Sequence, residues 1–160
     1  MPLLQPETDD DDSWVWTNHH QGSVHLWIKW FDFDASELTR GFGLEPTRVQ
    51  LRGQPKQTPK GTRIGSDVYA TDSWFLDRPV PGGRWPSDVI LEILPALERA
   101  PQLIERVWAA GGNAAFVVHA VQRRSQFTAG EQFDVDLLRR LGALRVELGF
   151  EAFGGGKIPG

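Results

Sequence analysis

Residues 32–54 read DFDASELTRGFGLEPTRVQLRGQ, and this stretch decides how the chain divides into elements. Asp34 is placed to cap a helix, with Glu37 three residues on in the position that completes an acidic capping box. The helix then runs from Ala35 to Arg40 or Phe42, and Gly43 supplies the left-handed closing residue. Pro46 fixes the exit, and residues 48–52 alternate as a short strand.

Working outward, residues 23–32 (SVHLWIKWFD) alternate as a strand. The alternation puts Val24, Leu26, Ile28 and Trp30 on one face, and His25, Trp27, Lys29 and Phe31 on the other. Trp14-Val15-Trp16 reads as a short preceding strand. Residues 53–67 are rich in Gly, Pro and basic groups and read as a long exposed loop. Residues 68–76 form a third strand with Tyr69 and Trp74, and residues 77–85 a turn region. Ser87 is the expected cap of a helix striped by Val89, Ile90, Ile93, Leu94 and Leu97, which Pro95 kinks. Pro101 begins a second helix carrying Leu103, Ile104, Val107 and Trp108, so two helices meet near Ala100. Gly111 and Gly112 end that segment, and residues 113–122 are β-rich. After a polar loop at 123–131, Asp134 caps a helix over 135–141 that Gly142 ends, and residues 146–153 form the last strand. Residues 1–13 are expected to be a disordered acidic segment, 14–153 a single α+β domain, and 154–160 a flexible tail.

The layout of capped acidic helix, turn, Gly-ended loop and later lone Trp resembles the DUF4279 domain family of small bacterial proteins. The residues that carry the resemblance are Asp34, Leu38, Gly43, Leu44, Pro46, Thr47, Gly53 and Trp74, within a likeness running from Val24 to Phe153. The family brings no established activity.

The element order β-α-β-β-α-β-α-β matches a ferredoxin-like β-α-β-β-α-β sheet with helices on one face, extended by a further helix and strand. In the usual strand order of that unit the run containing His119 lies antiparallel beside the first strand. His25 and His119 then become neighbours on the open face, with Trp27 close by.

At 160 residues the chain fits one domain, which buries roughly 68–70% of its unfolded surface. It has no cysteine, so disulfide and thiol chemistry are excluded. The start MPLLQPETDDDD lacks the basic end and apolar core of a signal peptide, and no apolar run approaches a membrane span. The expectation is a bacterial cytoplasmic protein with no membrane partner. A net charge of −4 argues against general nucleic-acid affinity. The charge is uneven: Glu7 and Asp9 to Asp12 give −5, while six basic residues between 40 and 63, less Glu45, give +5. That basic stretch is either a solvated segment or a receiver for an anionic ligand or partner.

Motifs for chemistry are sparse. There is no nucleophile elbow, no Ser set beside a His in a recognised motif, and no phosphate loop. His19, His20 and His25 with the nearby acidic run do not make a fixed zinc set, and no metal or cofactor is expected. An acid–base pair would need His25 or His119 beside a carboxylate such as Glu147 or Glu151. Of the seven tryptophans, Trp30, Trp74 and Trp108 are expected in the core and Trp85 at a helix start. Trp14, Trp16 and Trp27 are the recognition candidates. The leading expectation is therefore a non-enzymatic domain that recognises a protein partner or a second copy, an immunity-type protein neutralising a toxin being one form. The alternative is a small-molecule or anion-binding protein, an enzyme being one form, that uses His25, His119, Arg48 and Arg52. The candidate partner- or ligand-binding residues are His25, Trp27, Lys29, Arg48, Arg52 and His119.

Overall fold

A computed structural model of the protein describes residues 22–58, 60–81, 84–122 and 133–154. The acidic segment, the Trp14–Trp16 strand, His19, His20, the loop at 123–131 and residues 155–160 of the tail lie outside the described residues. The fold is α+β. In chain order it runs β1 (Gly22–Phe31), α1 (Ser36–Phe42), β2 (Arg48–Gln50), β3 (Pro55–Gln57), β4 (Arg63–Val68) and β5 (Asp72–Pro79). It continues with α2 (Pro86–Glu98), α3 (Pro101–Ala109), β6 (Asn113–Gln122), α4 (Val135–Leu144) and β7 (Glu147–Gly154).

Five strands form one mixed sheet in the order β2-β5-β1-β6-β7, and β3 and β4 form a separate hairpin. β1 lies at the centre, antiparallel to both β5 and β6, while β7 runs parallel to β6. Alternation decides the faces. Val24, Leu26 and Ile28 of β1, Trp74 and Leu76 of β5, and Phe116 and Val118 of β6 are all buried in one core. Leu38 and Phe42 of α1, Ile90, Leu94 and Leu97 of α2, Ile104 and Val107 of α3, and Leu137 and Leu141 of α4 meet them there. Each such side chain contributes roughly 1.5–3 kcal/mol through removal from water. The largest of them, Trp74, donates its ring N–H to Thr39 Oγ1 at 3.0 Å, so its one polar atom is satisfied inside the core.

The helix ends follow from their capping chemistry. The α1 cap position is Ala35, not Asp34, and makes no side-chain cap bond; Asp34, one residue further out, accepts the Ser36 amide on Oδ1 at 2.9 Å. Glu37, expected to complete a capping box, turns instead to Arg106 of α3, at 2.6 Å. Gly43 closes α1 with φ 66°. The α2 cap position is Trp85, not Ser87; the Trp85 amide donates to Asp88 Oδ2 at 2.8 Å. Asp134 caps α4 by accepting the Leu137 amide at 2.7 Å. Gly142 does not end that helix, which runs on to Leu144, and Arg145 takes the left-handed position with φ 58°.

Two expectations about strands are corrected. Residues 53–67 are not simply a loop: they hold β3 and most of β4, a hairpin whose β4 residues are all exposed. The expected strand at 68–76 is split, with Val68 closing β4 and β5 running from Asp72 past Leu76 to Pro79.

The third correction bears on function. Trp30 is not a core residue, and Phe31 is not on the open face. The β1–β5 register slips between Lys29 and Phe31, and Trp30 adopts φ 63°. The bulge turns Phe31 into the core, fully buried, and leaves Trp30 54% exposed. Gly112 makes room for it, since a methyl group there would overlap the Lys29 carbonyl oxygen. Trp108 is partly buried against the core and donates its ring N–H to the Arg145 carbonyl at 2.8 Å.

Candidate functional site

His25, Trp27 and Lys29 alternate with the buried positions of β1 and so face away from the helices. Register brings their neighbours onto the same face. His25 is opposite Asp77 on β5 and Val117 on β6, and Ser23 is opposite His119. His119 is in turn beside Glu151 of β7. The face is therefore a polar cluster set among apolar floor residues, with Phe75, Ala115 and Val117 buried.

The centre of the cluster is a pair of imidazoles. The rings of His25 and His119 lie 4.1 Å apart, and Trp27 stands 6.2 Å from the first and 6.0 Å from the second. Each imidazole has its own carboxylate. Asp77 Oδ1 lies 2.5 Å from His25 Nδ1, and Glu151 Oε2 lies 2.7 Å from His119 Nε2. The other nitrogen of His25, Nε2, is 2.6 Å from the Ser23 hydroxyl. Ser23, His25 and Asp77 thus form one hydrogen-bonded string across two adjacent strands. Burial holds the His119 pKa below its ordinary value, and the charge of His25 adds to this. Glu151, by charge and hydrogen bonding, and Asp77, by charge, pull the other way.

Along the face from the imidazoles lies a cationic end. Lys29 Nζ sits 4.0 Å over the Trp27 ring, with Phe75 at 5.8 Å and Trp30 at 6.0 Å. Arg48 of β2 lays its guanidinium 4.3 Å over the ring of Phe75. Burial lowers the Lys29 pKa, and the positive charge of Arg48 lowers it further, against a smaller opposing pull from Glu151. Among the described residues neither Lys29 nor Arg48 has a carboxylate within ion-pairing distance. Arg48 also borders a groove of about 400 Å³ between β2 and the hairpin, lined with Gln50, Gln54, Gln57 and Tyr69.

Five of the six site residues expected from sequence, His25, Trp27, Lys29, Arg48 and His119, share this face. Arg52 lies past the end of β2, where its backbone N–H donates to Asp72 Oδ1 at 2.6 Å. The basic stretch is spent partly on local contacts: Arg63 donates to the Gly65 carbonyl, and Lys56 approaches Asp67. Sequence reasoning missed Ser23, Asp77 and Trp30. Ser23 and His25 share strand parity, which was a usable signal. Asp77 was hidden because β5 extends beyond the point where the Pro- and Gly-rich composition suggested a turn. Among the described residues, no three His, Cys, Asp or Glu side chains converge as a metal ion would require. No helix among the described residues is long and apolar enough to cross a membrane.

No curated protein and no solved structure matches the chain. The model of a domain of unknown function, DUF4279, matches residues 19–153, which takes in every strand and helix that builds this face except the last residue of β7. The chain belongs to the DUF4279 family.

Proposed function

We propose that the open sheet face binds an anionic ligand with a flat or apolar body. The carrying observation is the pair of cations, Lys29 and Arg48, laid on Trp27 and Phe75 without an acidic partner among the described residues. Two like charges held close on a partly desolvated surface repel each other, and an anion between them relieves that repulsion. Trp27 offers a stacking surface between this end and the imidazoles. The test is titration with benzoate and phenyl phosphate, followed by tryptophan fluorescence and amide shifts. Binding should place its shifts on β1, β2 and β5, and Lys29→Met or Arg48→Met should weaken it at least tenfold. Equal affinity in both variants would end this reading.

A second reading is protein recognition through the same face, by a partner or a second copy, with toxin neutralisation as one form. Trp30 favours it: a large aromatic side chain is held out in solvent by a backbone conformation that is costly for it. Sedimentation of the wild type against Trp27→Ala and Trp30→Ala separates self-association from the monomer. Association that survives both substitutions rules out this surface.

We also infer a ferredoxin-like core, for which the antiparallel order β6-β1-β5-β2 is the support, with β7 and the hairpin as additions. A bacterial cytoplasmic setting agrees with the cysteine-free sequence.

A further inference from the structure

The geometry points to Ser23 as an activated nucleophile that accepts an acyl group from an activated ester or thioester bound on the open sheet face. The inference deepens the ligand reading above, since the acyl donor is the ligand and its anionic end is what Lys29 and Arg48 would hold.

Three features carry it. The first is the order of atoms. The hydroxyl meets Nε2 of His25 at 2.6 Å, and the carboxylate of Asp77 meets Nδ1 at 2.5 Å. A serine hydroxyl is a weak nucleophile until a base takes its proton. The base works when its other nitrogen keeps a proton pointed at a carboxylate. With Nδ1–H donated to Asp77, Nε2 presents its lone pair to Ser23, so the tautomer that catalysis needs is the one the carboxylate selects.

The second feature is rigidity. Ser23 and His25 are two residues apart on the central strand, and Asp77 is the registered partner of His25 on the next strand. The string is thus fixed by sheet hydrogen bonds on both sides of β1.

The third is access. Ser23 is half-buried and the Asp77 side chain is 38% exposed, so the string opens to the surface. His119 is the registered partner of Ser23 on β6, and its ring lies 4.1 Å from that of His25, tilted by 44°. Its Glu151 carboxylate adds a second negative charge beside the imidazolium that forms during reaction.

The step balances without a redox partner. Ser23 Oγ attacks the acyl carbonyl carbon as its proton passes to His25 Nε2, giving a tetrahedral intermediate. Collapse breaks the bond to the leaving alkoxide or thiolate, which takes the proton back from His25 Nε2. The product is an O-acyl serine. Water, deprotonated by the same nitrogen, then releases the acid and restores the hydroxyl.

The experiment uses the full chain with three probes: a fluorophosphonate, 4-nitrophenyl acetate, and the 4-nitrophenyl monoester of sebacic acid, whose long chain is chosen because Lys29 lies six residues along β1 from Ser23. The readouts are nitrophenolate release and intact mass, with the adduct mapped by digestion. One adduct is expected, on Ser23, with none in Ser23→Ala. His25→Gln and Asp77→Asn should each slow its formation by about 10² or more, the contribution of a positioned base. Ser23→Cys keeps a nucleophile in place and should be acylated at residue 23, which covers the case of an unstable alanine variant. An adduct on Lys29 in place of Ser23, or an unchanged rate in His25→Gln, overturns the proposal. Failure of the binding reading is separable. If the acetate acylates Ser23 but Lys29→Met leaves the sebacate rate unchanged, the cationic end is not a ligand site and Ser23 remains the nucleophile. If benzoate binds and no probe acylates Ser23, the nucleophile is refuted and the binding reading stands.

Discussion

Replacing Trp30 by glycine should leave the protein more stable than replacing it by alanine, against the usual order of those residues inside a strand. Both substitutions remove the same side chain, so whatever packing the half-exposed ring contributes cancels between them. What differs is the backbone. Trp30 sits at φ 63°, a left-handed conformation that costs an L-residue roughly 1–2 kcal/mol and glycine almost nothing. Glycine in turn loses more chain entropy on folding, worth about 0.5–1 kcal/mol relative to alanine at an ordinary strand position. The balance favours glycine by about 1 kcal/mol, equivalent to about 2–4 °C in Tm for a domain of this size. Urea unfolding followed by fluorescence of the remaining tryptophans measures it, provided both variants give the same slope against denaturant. If Trp30→Ala is the more stable of the two, the bulge does not exist as described. Phe31 would then lie on the open face, and the cluster around Lys29 would have to be redrawn.

The remaining predictions concern the core, the imidazole pair and the helix ends. Thr39→Val should destabilise by about 1–3 kcal/mol in chemical denaturation, because it leaves the buried Trp74 ring N–H without its acceptor; Thr39→Ser should restore most of the loss. Gly112→Ala should cost roughly 1–3 kcal/mol, since the added methyl meets backbone carbonyls of the bulge rather than a side chain that can turn aside. Asp134→Ala should cost about 1 kcal/mol and fray the first turn of α4 in hydrogen exchange. His119 titrates below its unfolded value, so the unfolded chain binds more protons across that interval. Stability should fall as pH drops through about 6.5 toward the folded pKa, and His119→Gln should flatten that limb. An NMR titration that puts the His119 pKa above the ordinary histidine value would contradict the burial described.

What the sequence made legible was local. Alternation in β1 placed Val24, Leu26 and Ile28 inward, and Gly43 and Asp134 marked helix ends through hydrogen bonds made within a few residues of themselves, while Asp34 fell one residue outside the cap of α1. The pairing of the two helices around Ala100 followed from Pro101, whose missing N–H suits the first turn. What stayed hidden depended on residues far away. Trp30 left its expected face because Gly112, some eighty positions later, lets the chain approach the bulge. The hairpin gave no period-two pattern because no residue of β4 is buried, so nothing selects apolar groups on one side. Gly142 looked like a helix stop, yet nothing crowds it, and the left-handed turn falls at Arg145 instead. The site shows the same division. The shared face of His25, Trp27 and Lys29 could be read along one strand, while the carboxylate for His25 came only from the register of β1 against β5.

The central place of β1 also governs how the molecule is made. Leu26 is registered against Leu76 on one side and Phe116 on the other, separations of fifty and ninety residues. The strand is synthesised before both of its sheet partners, the first available only after β5 is complete and the second only after β6. Until then a run of large apolar side chains with unpaired amides and carbonyls on both edges waits for distant segments. Loop closure over such spans must be met before any sheet contact repays it, so folding should be slow for a chain of this length. The same reasoning makes β1 the segment most exposed to wrong pairing between copies during folding. Conditions that lengthen its wait, such as slow translation through α2 and α3, should raise aggregation without altering the stability of the finished protein.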